Sequence, residues 1–171
     1  MHWCGIGATT TARRFVFAAF VSAASFAVPG MAWAGPFDNL SGSWGGEGLL
    51  SLSSGSNERL VCRATYTVNN GGNELVQDLR CASDSYALDV ASTVTYAPDS
   101  DALEGIWEVT NYGVGGSLSG VLSGGWVSAW VRGNGFLALV QISMGSSVQN
   151  VVIKPDGFDV TEVTVTMQKS S

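Results

Sequence analysis

The chain has 171 residues, 46% hydrophobic and only 13% charged, with 22 Gly against 4 Pro, which excludes a disordered or collagen-like chain and sets one domain as the expectation. Its formal charge is −6, and without residues 1–34, which hold Arg13 and Arg14, six basic residues stand against 14 acidic ones, so nucleic acid and anionic membrane surfaces are disfavoured as partners. The single histidine, His2, lies in that same stretch, so residues 35–171 carry no imidazole for catalysis, haem or zinc.

Residues 1–34 read as an export signal: basic Arg13-Arg14, an apolar run from Phe15 to Val28, a break at Pro29-Gly30, and Ala32-Trp33-Ala34 with cleavage after Ala34. The run is about 14 residues, short for a bilayer span, and no positive charge follows it, which disfavours a retained anchor. Arg13-Arg14 before Phe15-Val16-Phe17 leaves twin-arginine export open beside the general route. Cys4 departs with the signal, and the expected location is periplasmic or secreted.

In that oxidising setting Cys62 and Cys81 are expected to pair. Asn69-Asn70-Gly71-Gly72-Asn73 is a turn cluster between two alternating segments, and a hairpin folded between Gly71 and Gly72 pairs residues whose numbers sum to 143, a condition Cys62 and Cys81 meet. Directly opposed cysteines on antiparallel strands stand within disulfide reach. The link is read as a structural staple worth roughly 3 kcal/mol on the chain-entropy model. A redox-active pair is disfavoured, since there is no Cys-x-x-Cys and no cationic helix start to lower a thiol pKa.

Beyond residue 35 the pattern is of short strands separated by Gly, Ser, Asn and Asp, at 42–53, 58–68, 74–82, 85–96, 102–111, 117–123, 125–132, 136–144, 148–154 and 159–168. This predicts an all-β domain over 35–171, an antiparallel up-and-down β-barrel of about eight to ten strands with one disulfide, with a Greek-key sandwich as the alternative. Facing is readable in the first half. Cys62, Ala64, Tyr66 and Val68 oppose Cys81, Leu79, Gln77 and Leu75 as the inward set, while Arg63 opposes Arg80 outside. Tyr86, Leu88, Val90, Val94 and Tyr96 share a face, as do Leu103, Trp107 and Val109, and Val163, Val165 and Met167. Between Trp126 and Ser143 both faces are apolar, which predicts strands covered on both sides by a subunit partner, a terminal segment or a membrane.

Leu40-Ser41-Gly42-Ser43-Trp44 opens the first strand. Its Gly-x-Trp, at Gly42 and Trp44, resembles the calycin superfamily (lipocalins, fatty-acid-binding proteins, avidins), where the Gly permits a sharp turn into the strand and the Trp plugs one end of the barrel. With Gly46 and Gly48 the segment also resembles the opening of nitrobindin-like barrels, which hold haem through a His that residues 35–171 do not have, so that function does not carry over. The Gly35-Pro36-Phe37-Asp38 start and the Cys62-to-Tyr66 strand resemble small exported alphaproteobacterial proteins, a kinship that implies no activity. Leu103-Glu104-Gly105-Ile106-Trp107 repeats the Leu-x-Gly-x-Trp pattern and reads as good strand chemistry more than as a duplication.

Four further features bear on chemistry. Asp99, Asp101 and Glu104 gather carboxylates but lack the spacing of a calcium loop, which favours a solvated acidic turn. Nothing directs two of Asp99, Asp101, Glu104 and Glu108 to a common cleft for glycoside hydrolysis. A serine nucleophile has only Lys154 and Lys169 as amine bases. Arg63 and Arg80 offer an outer anion contact, for which charge balance with Asp78 is the simpler account. The expectation is therefore a non-enzymatic, cofactor-free and metal-free binding protein that takes a small apolar or amphiphilic ligand into the barrel, lined by Tyr66, Tyr86, Tyr96, Trp107, Trp126 and Trp130. The alternatives are a structural or protein-interaction module, by a homo-oligomer or other protein partner through the 126–144 face, and a small outer-membrane barrel.

Overall fold

The structure is a computed structural model that describes residues 34–170. The export segment expected at 1–34, apart from Ala34, lies outside the described residues. Ten strands follow in order: β1 (Gly42–Leu52), β2 (Asn57–Asn69), β3 (Glu74–Ala82), β4 (Ala87–Ala97), β5 (Ala102–Val109), β6 (Val114–Ser123), β7 (Trp126–Gly133), β8 (Phe136–Met144), β9 (Val148–Asp156) and β10 (Val160–Lys169). Each pairs antiparallel with its sequence neighbours, and β1 also pairs with β10, which closes the wall. The architecture is an up-and-down barrel, not a sandwich, and closure leaves no sheet edge unpaired.

The β2–β3 turn sets the register. Asn70 and Gly71 hold positive φ (50° and 61°), the left-handed geometry that a tight hairpin needs and that Asn and Gly tolerate. Cys62 then stands opposite Cys81 with Cα atoms 4.1 Å apart, and the two are disulfide-bonded. Arg63 opposes Arg80 in the same ladder. Arg80 takes Asp89 of β4 as its ion partner (2.6 Å), not Asp78 as the sequence suggests.

Alternation sorts the wall. Inward positions include Trp44, Leu60, Cys62, Ala64, Leu103, Ala129, Val165 and Met167, all buried in one core. Charged strand residues stand outside except Glu58 and Lys169 at the two rims, and the three ion pairs among the described residues, Glu47–Arg59, Arg80–Asp89 and Lys154–Glu162, are exposed and contribute little stability. Apolar inward and charged outward is the reverse of the alternation expected of the outer-membrane alternative. At two inward glycines the strand coils too tightly for a side chain. A Cβ on Gly116 would stand 1.8 Å from the Arg132 carbonyl oxygen, and one on Gly48 equally close to that of Thr164.

One end of the barrel is capped. Residues 35–41 cross it, with a 3₁₀ turn at Asp38–Leu40. Gly35 and Phe37 donate their amides to the carbonyls of Gly71 and Gly72 (3.1 and 3.0 Å). Phe37 and Leu40 drop into the core, the Trp44 indole N–H donates to the Leu40 carbonyl at 2.8 Å, and Lys169 Nζ donates to the Asn39 carbonyl at 2.8 Å. Fully burying side chains of this size contributes about 1.5–3 kcal/mol each.

The second half departs from expectation. Val127 and Ala129 face the core, while Trp126 and Trp130 face outward, 65% and 42% exposed. Size decides the orientation. The inward row there runs Leu103–Gly120–Ala129–Val140, and a Cβ on Gly120 would already meet Ala129 Cβ at 2.6 Å, which leaves no room for an indole. Among the described residues no segment of the chain lies over the outer side of β7.

Candidate functional site

The two halves of the barrel interior differ. Toward the capped end it is filled. Trp44 and Tyr66 pack with ring centroids 5.7 Å apart, and Leu103, Leu122 and Val127 close around them. The Tyr66 hydroxyl donates across the lumen from β2 to Gln149 Oε1 on β9, at 3.2 Å. Gln149 is 3% exposed, so this bond satisfies a polar group that would otherwise be stranded in the core. Burial pushes the Tyr66 hydroxyl pKa up to about 12, because the phenolate would lose its hydration.

Toward the open end, where the β3–β4, β5–β6 and β7–β8 hairpins turn, inward burial is mixed: Leu50, Leu60, Cys81 and Ala138 are buried, while other inward side chains are only partly so. Val90, Trp107, Val131, Val140 and Ile153 all face inward from a closed wall yet keep partial exposure. Glycines make the room: Gly105, Gly116 and Gly133 are inward neighbours of Trp107 or of one another and add no side-chain volume. The Trp107 ring lies against Gly133, and its N–H is shared between the carbonyls of Ser117 and Arg132, 3.2 Å from each. Phe136 stacks at 5.3 Å from Trp107 and Phe158 at 5.3 Å from Phe136, which forms an aromatic rim on one side of the opening. Where the two halves meet, Ser92 donates to Gln77 Oε1 at 3.4 Å, a polar pair on an otherwise apolar wall.

The residues singled out in the sequence fall into five groups. Trp107 stands among the partly exposed inward side chains, and Tyr66 in the filled half. Tyr96 is inward at the capped end, where its hydroxyl donates to Asp101 at 2.5 Å beside a cavity of about 300 Å³ that Leu40, Leu122 and Met144 also line. That hydrogen bond, then partial burial and the Asp101 charge, raise the Tyr96 hydroxyl pKa. Tyr86 precedes β4 at the opposite rim, half-buried, its amide donating to Ser83 Oγ at 3.2 Å. Trp126 and Trp130 are removed from the lining by their outward orientation. Phe136 and Phe158, which sequence reasoning did not single out, join the site; Phe158 lies in a turn, where strand alternation assigns no face. Among the described residues no three His, Cys, Asp or Glu side chains gather as metal ligands; Asp101 is engaged by Tyr96, and Glu104 points outward.

These features define a closed ten-stranded barrel, capped and packed at one end, with some inward apolar side chains left partly exposed toward the other. A solved structure with a similar fold is that of an S-type phycobiliprotein lyase, CPES, from Guillardia theta, with a TM-score of 0.59 and 10% identity over 79% of this chain and 90% of that one. No protein-family model and no curated protein matches the chain. At this identity the likeness is one of fold alone. It corrects one expectation. The neighbour is a lyase, so the step from a barrel without histidine to a protein without enzymatic activity fails: lack of imidazole excludes imidazole chemistry, not catalysis on this fold.

Proposed function

We propose that the chain is an exported, disulfide-stapled, calycin-like barrel that takes a small apolar or amphiphilic molecule into the chamber at its open end. The observation that carries this reading is the partial exposure of inward Val90, Trp107, Val140 and Ile153, an apolar surface held in water by a rigid wall. Such a surface gains about 25 cal/mol for each Å² a ligand covers, with little ordering cost because the wall is already formed. The Ser92–Gln77 pair offers a polar contact at depth, and the aromatic rim supplies flat contacts at the mouth.

Export supports the same reading. Cleavage after Ala34 would leave the Gly35 nitrogen as a terminal ammonium, still able to donate to the Gly71 carbonyl, which is the first bond into the barrel among the described residues. The Cys62–Cys81 link suits an oxidising compartment.

Titration with a hydrophobic fluorescent probe tests the reading. We expect saturable binding at about one site per chain, quenching of Trp107, and loss of binding in Val140→Trp, which fills the chamber. Probe binding that is absent, or equally strong in Val140→Trp, would remove the proposal.

A further inference from the structure

Trp126 and Trp130 project outward from β7, four residues apart on one face, about 13 Å at the rise of an antiparallel strand. Each stands across the β6 ladder from a serine: Trp126 opposite Ser123, and Trp130 opposite Ser119. Ser128 lies between them, opposite Gln141 of β8. The strand thus repeats one unit, an exposed indole beside a hydroxyl, with the Ser128 hydroxyl and the Gln141 amide in the interval, Val121 exposed opposite Ser128 and Leu139 opposite Trp130.

The two parts of that unit make different demands. An exposed indole holds a large apolar plate in water, which a flat apolar surface relieves. The serines and the glutamine require hydrogen-bond partners once water is displaced, and each group left without one costs about 1–3 kcal/mol. A phosphatidylcholine surface meets the first demand and only part of the second, because its ester and phosphate oxygens accept hydrogen bonds and donate none. A chain of sugar rings meets both, because each ring presents an apolar C–H face and a rim of hydroxyls, each donor and acceptor, and presents them in repeat. Charge narrows the class. No charged side chain lies on the outer face between the two indoles, and a net charge of −6 repels polyanions and a second copy alike. Arg132, beyond Trp130, donates to Ser119 Oγ at 3.1 Å, which leaves the Ser119 proton free to donate.

We propose that the outer face of β7 is a platform for a neutral polysaccharide, laid along the strand and stacked on Trp126 and Trp130. The platform is separate from the chamber and stands whether or not the chamber takes a ligand. Affinity electrophoresis through gels holding hydroxyethyl cellulose, soluble starch, a β-1,3-glucan or a galactomannan tests it, with dextran sulfate as the charged comparison. At least one neutral glycan should retard the protein. Trp126→Ala and Trp130→Ala should each weaken retardation about tenfold, the loss expected when one indole no longer covers an apolar sugar face. The double variant should run as in plain gel, while Leu49→Ala, an exposed apolar truncation on β1, should change nothing. Melting temperatures close to the parent's would show that these outward substitutions leave the fold intact. The proposal is overturned if no neutral glycan retards the protein, if the double variant is retarded like the parent, or if dextran sulfate alone binds. Trp126- and Trp130-dependent self-association in sedimentation, or flotation with phosphatidylcholine vesicles, without glycan binding would overturn it equally.

Discussion

Replacing Tyr66 with Phe separates the filled half of the barrel from the open half by a pH signature. Tyr66 is 7% exposed, and its hydroxyl titrates near 12 in the folded chain against about 10 when unfolded. Because the folded-state pKa is the higher one, the protonated side chain stabilises the fold fully below pH 10, and that contribution drains away as pH rises toward 12. A tenfold change in an equilibrium constant corresponds to about 1.4 kcal/mol, so the wild type should lose roughly 1 kcal/mol by pH 11 and approach roughly 3 kcal/mol beyond pH 12 from this group alone. Tyr66→Phe gives up the hydrogen bond to Gln149 and leaves that buried amide oxygen unpaired, a cost of about 1–3 kcal/mol at neutral pH. Its stability should then be flatter with pH, so the gap between the two proteins narrows from pH 9 to pH 11. Urea unfolding of both at several pH values measures the gap directly. A gap that stays constant or widens through that range would mean that the hydroxyl is hydrated and the filled half is open to water.

Three further outcomes follow from the packing. Cys62→Ser with Cys81→Ser, or reduction of the link, should lower stability by roughly 3 kcal/mol in denaturant unfolding, since the bridge closes a loop between residues 19 apart. Gly116→Val should cost more than about 2 kcal/mol or prevent folding, because its Cβ would stand 1.8 Å from a backbone oxygen, and circular dichroism with melting analysis reads that loss. Trp44→Ala should cost about 3–5 kcal/mol and loosen the cap, whereas Trp126→Ala should stay within about 0.5 kcal/mol of the parent by the same assay.

Much of the fold is legible because turns and strands use different residues. The Asn69–Asn73 cluster names a hairpin, and the numerical condition for its register places Cys62 against Cys81 as observed. The predicted strand 74–82 agrees with β3, and 136–144 with β8, because turn-forming residues bracket each run. Facing is equally legible where one side of a strand is polar, as on β2. It fails on β7, where Trp126, Val127, Ala129 and Trp130 give hydrophobicity no contrast, and where the distance to β6 and β8 decides that the small residues go in. The Tyr66–Gln149 bond joins positions 83 apart in the chain through strand order alone, which no local pattern contains. The cap is partly legible: Gly42 and Trp44 suggest a plugged end, but the burial of Phe37 and Leu40 depends on carbonyls supplied by the β2–β3 turn.

The chamber itself is tested most directly by methyl-resolved NMR of the isotopically labelled protein titrated with a hydrophobic probe. Shifts should concentrate on Val90, Val131, Val140 and Ile153, with Leu60 and Val165 in the packed core unmoved. Shifts confined to the outward Leu49, Ile106 and Val121, or none at saturating probe, would contradict a ligand-accepting interior.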